Sequence, residues 1–232
     1  MRISMKNRKI GYTYGSVSGH FSFRKQKSIA FESTLERDML TLLEFNDSVE
    51  DVIEQPLTIE YKNHNERTVT YTPDFLVYFK EPDASLLRLQ RKPLLIEVKP
   101  TEKLQKHFQD LRPRFKIAMQ YAHANDMIFK IYDERRIRTQ YLKNIIFLKR
   151  YKRHKFQEED ENLILTYIHS IGNISIEYVL EALAATKEQK ALILSNIWGL
   201  LSQKKLLCHF DKKLNLQTEV WINNTIEIGA LQ

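Results

Sequence analysis

Tyr71-Thr72-Pro73-Asp74-Phe75 and Leu94-Leu95-Ile96-Glu97-Val98-Lys99-Pro100 decide the reading of this chain. Both stretches are short and apolar, rich in β-branched and aromatic residues, and bounded by turn formers, so both are predicted strands. Side chains alternate across a strand, which sends Glu97 and Lys99 to one face and Ile96 and Val98 into a core. If the two strands are neighbours, Asp74 joins Glu97 and Lys99 in one polar cluster. Adjacent carboxylates repel, and a hard divalent cation such as Mg²⁺ relieves them, taking carboxylate, water and phosphate oxygens. Lys99 is then placed to touch an attacking water or the reacting phosphate. That is the equipment of a metal-dependent phosphodiesterase. Taken alone, P-D…E-x-K also describes a charged edge strand that resists aggregation.

The surrounding sequence adds weight to the first reading. Lys80-Glu81-Pro82-Asp83 supplies a turn between the two segments, and Lys99-Pro100-Thr101 ends a strand and opens a helix. The cluster is therefore expected at a strand terminus. Upstream, Ser33 followed by Glu36 is a capping box that starts a helix running to about Glu44, with Leu35, Met39, Leu42 and Leu43 as its buried stripe. Glu36 borders that stripe and can face the strands as a further carboxylate. Its other role is the cap itself, and Glu32 is the competing candidate. Strands are expected near 52–61, 68–79 and 93–99, with Asn63-His64-Asn65-Glu66 as the turn between the first two. Glu54-Gln55 lies at the start of the first, where Gln55 can support the site.

Charge is distributed in blocks. Residues 1–31 carry seven Lys/Arg and no Asp/Glu, and residues 88–155 carry nineteen basic against six acidic. Between them, residues 32–87 carry four basic and thirteen acidic, so the acidic cluster lies between basic flanks. Such flanks neutralise phosphates and steer a polyanion, with affinity falling in salt. The expected DNA-binding residues are Arg24 and Lys25 in a basic N-terminal arm over 1–30, partly disordered until it binds. They continue with Lys103, Lys106, Arg114 and Lys116 on a helix over 101–123, and with Arg150 and Arg153 in a basic linker over 149–157. Within that helix Leu104, Phe108, Leu111, Phe115, Met119 and Ala122 form the apolar stripe, and Pro113 should kink or split it.

A hydrophobic content of 43% supports packed cores, and the length suits one large domain or two small ones. No apolar run is long enough to span a bilayer, and Met1 opens no visible signal peptide, so a cytoplasmic setting is expected. The single cysteine, Cys208, reads as a small buried hydrophobe, and the histidines show no zinc spacing. Met127–Tyr132 is a strand that follows a helix that follows a strand, so a right-handed crossover into a mixed, partly parallel sheet is expected. Asp133–Arg138 is a short helix and Tyr141–Leu148 the last segment of a core over 31–148. From Glu158 to 232 three helices and a hairpin (Lys205–Phe210 with Thr218–Ile222) make a winged helix. That domain is net acidic and only weakly basic on its third helix. It therefore reads as a protein-docking module more than as a DNA reader.

Ser33-Thr34-Leu35-Glu36, Val52-Ile53-Glu54-Gln55-Pro56, Thr72-Pro73-Asp74-Phe75-Leu76-Val77 and Ile96-Glu97-Val98-Lys99-Pro100 stand in the order and register of one family. The chain resembles TnsA, the endonuclease subunit of heteromeric, Tn-seven-like transposition systems. The resemblance implies an α/β restriction-endonuclease-like core with a C-terminal winged-helix domain. It implies a site of Glu36, Asp74, Glu97 and Lys99 with Mg²⁺, for which Mn²⁺ substitutes. It further implies nicking of the 5′ strands at transposon ends, in double-stranded DNA. A TnsB-type transposase would cut and join the 3′ ends, and a TnsC-type ATPase would dock on the C-terminal domain. Some family members carry Gln at the position of Glu97. Two alternatives stand beside this: a stand-alone restriction, repair or resolvase-type nuclease, and a DNA-binding adapter without catalysis.

Overall fold

Where the sequence predicts two long strands, over 52–61 and 68–79, the backbone makes four short ones. The computed structural model describes residues 3–4, 17–63, 66–81, 91–153, 155 and 157–224. Residues Pro82 and Asp83 of the expected turn, and His64 and Asn65 of the other, lie outside them. The chain divides into two compact units, Met1–Arg138 and Thr139–Gln232.

In the first unit the elements are β1 (Ile3–Ser4), β2 (Gly19–Phe23), β3 (Lys27–Phe31), α1 (Thr34–Phe45), β4 (Val49–Glu54), β5 (Thr58–Lys62), β6 (Thr68–Tyr71) and β7 (Phe75–Phe79). They continue with β8 (Leu94–Val98), α2 (Thr101–Lys106), α3 (Phe108–Ala124), β9 (Ile128–Tyr132) and α4 (Glu134–Ile137). Strands β4, β7, β8 and β9 form one four-stranded sheet, and β1, β5 and β6 form another of three. Each predicted long strand thus leaves one sheet and joins the next. The breaks fall at Gln55-Pro56 and Thr72-Pro73, side by side. Gln55 N donates to Asp74 O at 2.8 Å, and the Thr58 and Thr72 hydroxyls meet at 2.9 Å. Proline has no N–H for a ladder, and Gln55 adopts φ of 42°, left-handed backbone in which a non-glycine residue is strained.

The four-stranded sheet carries the core. β4, β7 and β8 are antiparallel neighbours, and β9 runs parallel to β8, from Leu94↔Ile128 to Val98↔Tyr132. The mixed sheet and its helical crossover are as the sequence predicts. β8 is central, so Leu95, Ile96, Glu97 and Val98 are all buried, rather than alternating between core and solvent. On α3, Ala118 packs against Leu57, Ile59 and Tyr71, while Ala122 packs against Leu76 and Leu95. Alanines there let the helix approach closely. Each fully buried leucine or isoleucine in this core contributes about 1.5–3 kcal/mol.

Three further expectations are corrected. From Gly19 the expected arm is a β-hairpin, β2 with β3, whose Phe21, Phe23 and Ile29 are buried, and Ile3–Ser4 pairs with β5; apolar alternation outweighs the basic composition. The helix over 101–123 breaks at His107, ahead of Pro113, which is accommodated inside α3. Phe108 and Met119 of its predicted stripe are 50% and 59% exposed, and Ala118 takes a buried place instead. Finally, Tyr141–Leu148 belongs to the second unit.

That unit comprises α5 (Gln140–Lys149), α6 (Glu158–Ile171), β10 (Ile174–Ser175), α7 (Ile176–Leu183), α8 (Lys187–Ser202), β11 (Leu206–Cys208) and β12 (Glu219–Ile222). The strands form one antiparallel sheet in the order β10-β12-β11. Leu148 of α5 is buried among Ile164, Ile168, Ile197 and Leu201, which is why the helix sides with this unit. Thr186 and Gln189 close a capping box at the start of α8. Cys208 is buried, as expected, and burial pushes its thiol up to about 12, beyond reach of thiolate chemistry.

Candidate active site at the ends of β7 and β8

Antiparallel pairing of Phe75 with Ile96 sets Asp74 beside Glu97. Asp74 stands at the break between the two sheets. Its N–H donates to Ile96 O at 3.0 Å, and its Oδ2 accepts from Val98 N at 2.7 Å. The carboxylate is thus fastened to β8 by its own side chain and backbone. Glu97 is only 2% exposed. Its Oε1 pairs with Lys99 Nζ at 2.7 Å, and its Oε2 accepts from the Tyr71 hydroxyl at 2.7 Å. Tyr71 ends β6 directly before the break, so the switch between sheets brings both Tyr71 and Asp74 to Glu97.

Glu36 serves the cap and also feels the cluster. Its Oε1 accepts from the Ser33 hydroxyl and its Oε2 from Glu32 N, both at 2.8 Å, while Glu36 N donates to Ser33 Oγ. The box therefore reaches Glu32 N rather than Ser33 N. Burial raises the Glu36 pKa, the Glu32 and Ser33 hydrogen bonds and then Lys99 act against this, and Glu32 adds to it. Gln55 sits beside these groups. Its Nε2 donates to Glu32 Oε1 at 3.2 Å, and its buried Oε1 has no hydrogen-bond partner among the described residues.

The electrostatics mark a site under tension. Burial and then Glu97 push the Asp74 carboxyl well above the usual carboxylate range; Lys99 and the Val98 N–H pull the other way, and Glu36 adds to the rise. Burial alone would lower the Lys99 ammonium, but Asp74 and Glu97 more than offset it and hold its pKa above the ordinary value. Tyr71 is raised by burial and by Glu97, so it remains a donor. Asp74, Glu97 and Lys99 form the cluster, and Glu36 acts on Asp74 and Lys99 electrostatically. Among the described residues, no three Asp, Glu, His or Cys side chains converge as a ready-made set of metal ligands.

The candidate DNA-binding residues divide. Lys103 and Arg114 line a cavity of about 250 Å³ beside Lys99, together with His107, Asp110 and Leu111. Lys106 and Lys116 are exposed and do not line it. Lys25 is exposed at the β2–β3 turn, whereas Arg24 is tied down locally: its guanidinium donates to Asn46 O at 2.8 Å and stacks over Phe23. In the second unit Arg150 lies over the Phe147 ring and Arg153 is exposed. Tyr71 is the residue that sequence reasoning missed. The signal for Tyr71 was its place three residues before Asp74, where a strand break reverses the facing expected from alternation.

The segment of residues 46–134, from just before β4 to the start of α4, matches the family model described as TnsA-like endonuclease N terminal. It contains Asp74, Glu97 and Lys99, while Glu36 lies before it. No curated protein matches the chain. On this match residues 46–134 of the chain are a TnsA-like endonuclease N-terminal domain.

Proposed function

We propose that this chain is a metal-dependent DNA endonuclease that nicks the 5′ strands at transposon ends, working with a TnsB-type transposase. The observation that supports this most is the juxtaposition of Asp74, Glu97 and Lys99 at strand ends inside a TnsA-like endonuclease domain. Their chemistry fits a hard divalent cation. Burial and Glu97 raise the cost of ionising Asp74, and Lys99 with the Val98 N–H offsets only part of it. Asp74 and Glu97, with Glu36 nearby, would hold Mg²⁺, or Mn²⁺ in its place. Such an ion supplies Lewis acidity at a phosphate oxygen and an activated water.

The chain's own residues do the rest. Asp74 is anchored by Val98 N–H, so its carboxylate is held in place ahead of any ligand. Lys99, whose pKa Asp74 and Glu97 hold above the ordinary value, brings a positive charge to the site. It therefore neutralises charge that develops on the phosphate during in-line attack by water. Tyr71 fixes the orientation of Glu97 from the opposite oxygen. Hydrolysis leaves a 3′-hydroxyl and a 5′-phosphate. The second unit, with helices α6 to α8 and the β10-β12-β11 sheet, is a winged helix in this reading and docks a TnsC-type ATPase.

Strand-resolved cleavage mapping tests the proposal, using DNA that carries the element's ends, Mg²⁺, the transposase and the ATPase. With Asp74→Ala the 5′-strand cuts should vanish and the 3′-strand cuts should persist. If both strands are still cut, the chain is an adapter and the chemistry lies elsewhere.

A further inference from the structure

The cavity beside Lys99 lies at the junction of α2 and α3, and its wall is cationic. Lys99, Lys103, His107 and Arg114 line it around Leu111, with Asp110 as the single acid. Three basic residues of neighbouring elements are spent on local partners. Arg135 pairs with Asp133, Arg138 with Asp38, and Lys92 with Asp126. Lys103, His107 and Arg114 make no side-chain hydrogen bond or ion pair among the described residues. Asp110 and Arg114 stand one helical turn apart, a spacing that favours pairing, yet form no ion pair. The cavity also borders the carboxylate cluster. Lys99 belongs to both, and Arg114 lies within electrostatic reach of the Tyr71 hydroxyl that holds Glu97.

We infer that this pocket is a phosphate subsite, which seats a backbone phosphate of the DNA strand next to the one at Asp74 and Glu97. A guanidinium fork and an ammonium facing one space suit a single phosphate with several acceptor oxygens. The break of the helix at His107 makes the pocket: it turns α2 so that Lys103 faces the same space as Arg114. Seating the adjoining phosphate fixes the register of the strand on the carboxylates, so the pocket positions the substrate. The assignment of the ligand as a DNA phosphate rests on the endonuclease reading above.

Binding of the full chain to a short labelled duplex, followed by fluorescence anisotropy across a salt series in EDTA, tests it without cleavage. The logarithm of the association constant falls with the logarithm of salt by about 0.9 for each duplex phosphate neutralised. Arg114→Gln and Lys103→Gln should each weaken binding. The double substitution should flatten the slope by about one, because both side chains serve one phosphate. Lys62→Gln, whose ion pair with Glu66 lies outside the pocket, should leave the slope unchanged. Circular-dichroism melts establish that each variant is folded. A loss of about two in the double variant would mean separate phosphates. That result, an unchanged slope, an equal loss in Lys62→Gln, or no binding of the duplex at all would each overturn the subsite. Asp74 is intact and metal is chelated throughout. Failure here, with 5′ cuts still lost in Asp74→Ala, therefore removes the pocket and leaves the nuclease reading standing; the reverse pattern does the opposite.

Discussion

The cluster around Glu97 in the first unit and the turn held by Asn144 in the second are both buried and polar. They differ in how their polar atoms are satisfied. Asn144 is neutral and 4% exposed. Its Nδ2 donates to Phe210 O at 2.8 Å and Lys212 O at 2.6 Å, and its Oδ1 accepts from Gln140 Nε2 at 2.9 Å. Every group has a partner and none repels another, so Asn144 fastens a turn to α5. Glu97 also has a partner on each oxygen, but it is charged and lies beside a second carboxylate that it drives toward protonation. Burial and hydrogen bonding are common to both regions. Unbalanced charge distinguishes the one suited to chemistry.

Substitutions in the two regions should therefore diverge. Asn144→Ala leaves the carbonyls of Phe210 and Lys212 without their donor and should destabilise the second unit by about 2–4 kcal/mol. Thermal or urea unfolding measures this, and cleavage by the protein that remains folded should be unchanged. Tyr71→Phe removes one donor to a buried carboxylate and should cost about 1.5–3 kcal/mol in stability. It should also lower cleavage about 10- to 100-fold, because Glu97 loses an orienting partner. A Tyr71→Phe enzyme with full activity would reduce Tyr71 to packing. Asp74→Asn should have the smallest effect on folding, and of opposite sign. The Asp74 pKa is raised in the folded state, so its ionisation opposes folding above the ordinary carboxylate range. The melting temperature of Asp74→Asn should exceed that of the wild type increasingly as pH rises through the raised value, and the gap should close in acid. A constant gap would show that the effect is not electrostatic.

Much of the first region was legible in the sequence. Ser33 and Glu36 announced the cap of α1, and the apolar run of β8 announced a strand bearing Glu97. The position of Asp74 beside it followed from pairing two short strands. The rest depended on features without a local signature. The switch of both long strands between sheets rests on Gln55 in left-handed backbone and on Pro56 and Pro73, and proline alone does not say where a strand goes next. Alternation set Glu97 on a polar face opposite the core because it took β8 for a strand packed on one side; packing on both faces buries it. The basic composition of residues 1–31 masked the alternating Phe21, Phe23 and Ile29 of a hairpin. The boundary after Arg138 was hidden because the apolar face of α5 suits either core, and only the contacts of Leu148 decide it.

The account turns on the cluster of Asp74, Glu97 and Lys99 being a cation site, and the response of melting temperature to Mg²⁺ tests that most directly. A ligand that binds only the folded state stabilises it by about 2.7 kcal/mol at a hundred times its dissociation constant. Wild-type chain should melt at progressively higher temperature as Mg²⁺ is added at neutral pH. The shift should shrink in acid, where Asp74 keeps its proton, and should be lost in Asp74→Asn. A wild-type chain that ignores Mg²⁺, or an Asp74→Asn chain that responds equally, would contradict the assignment.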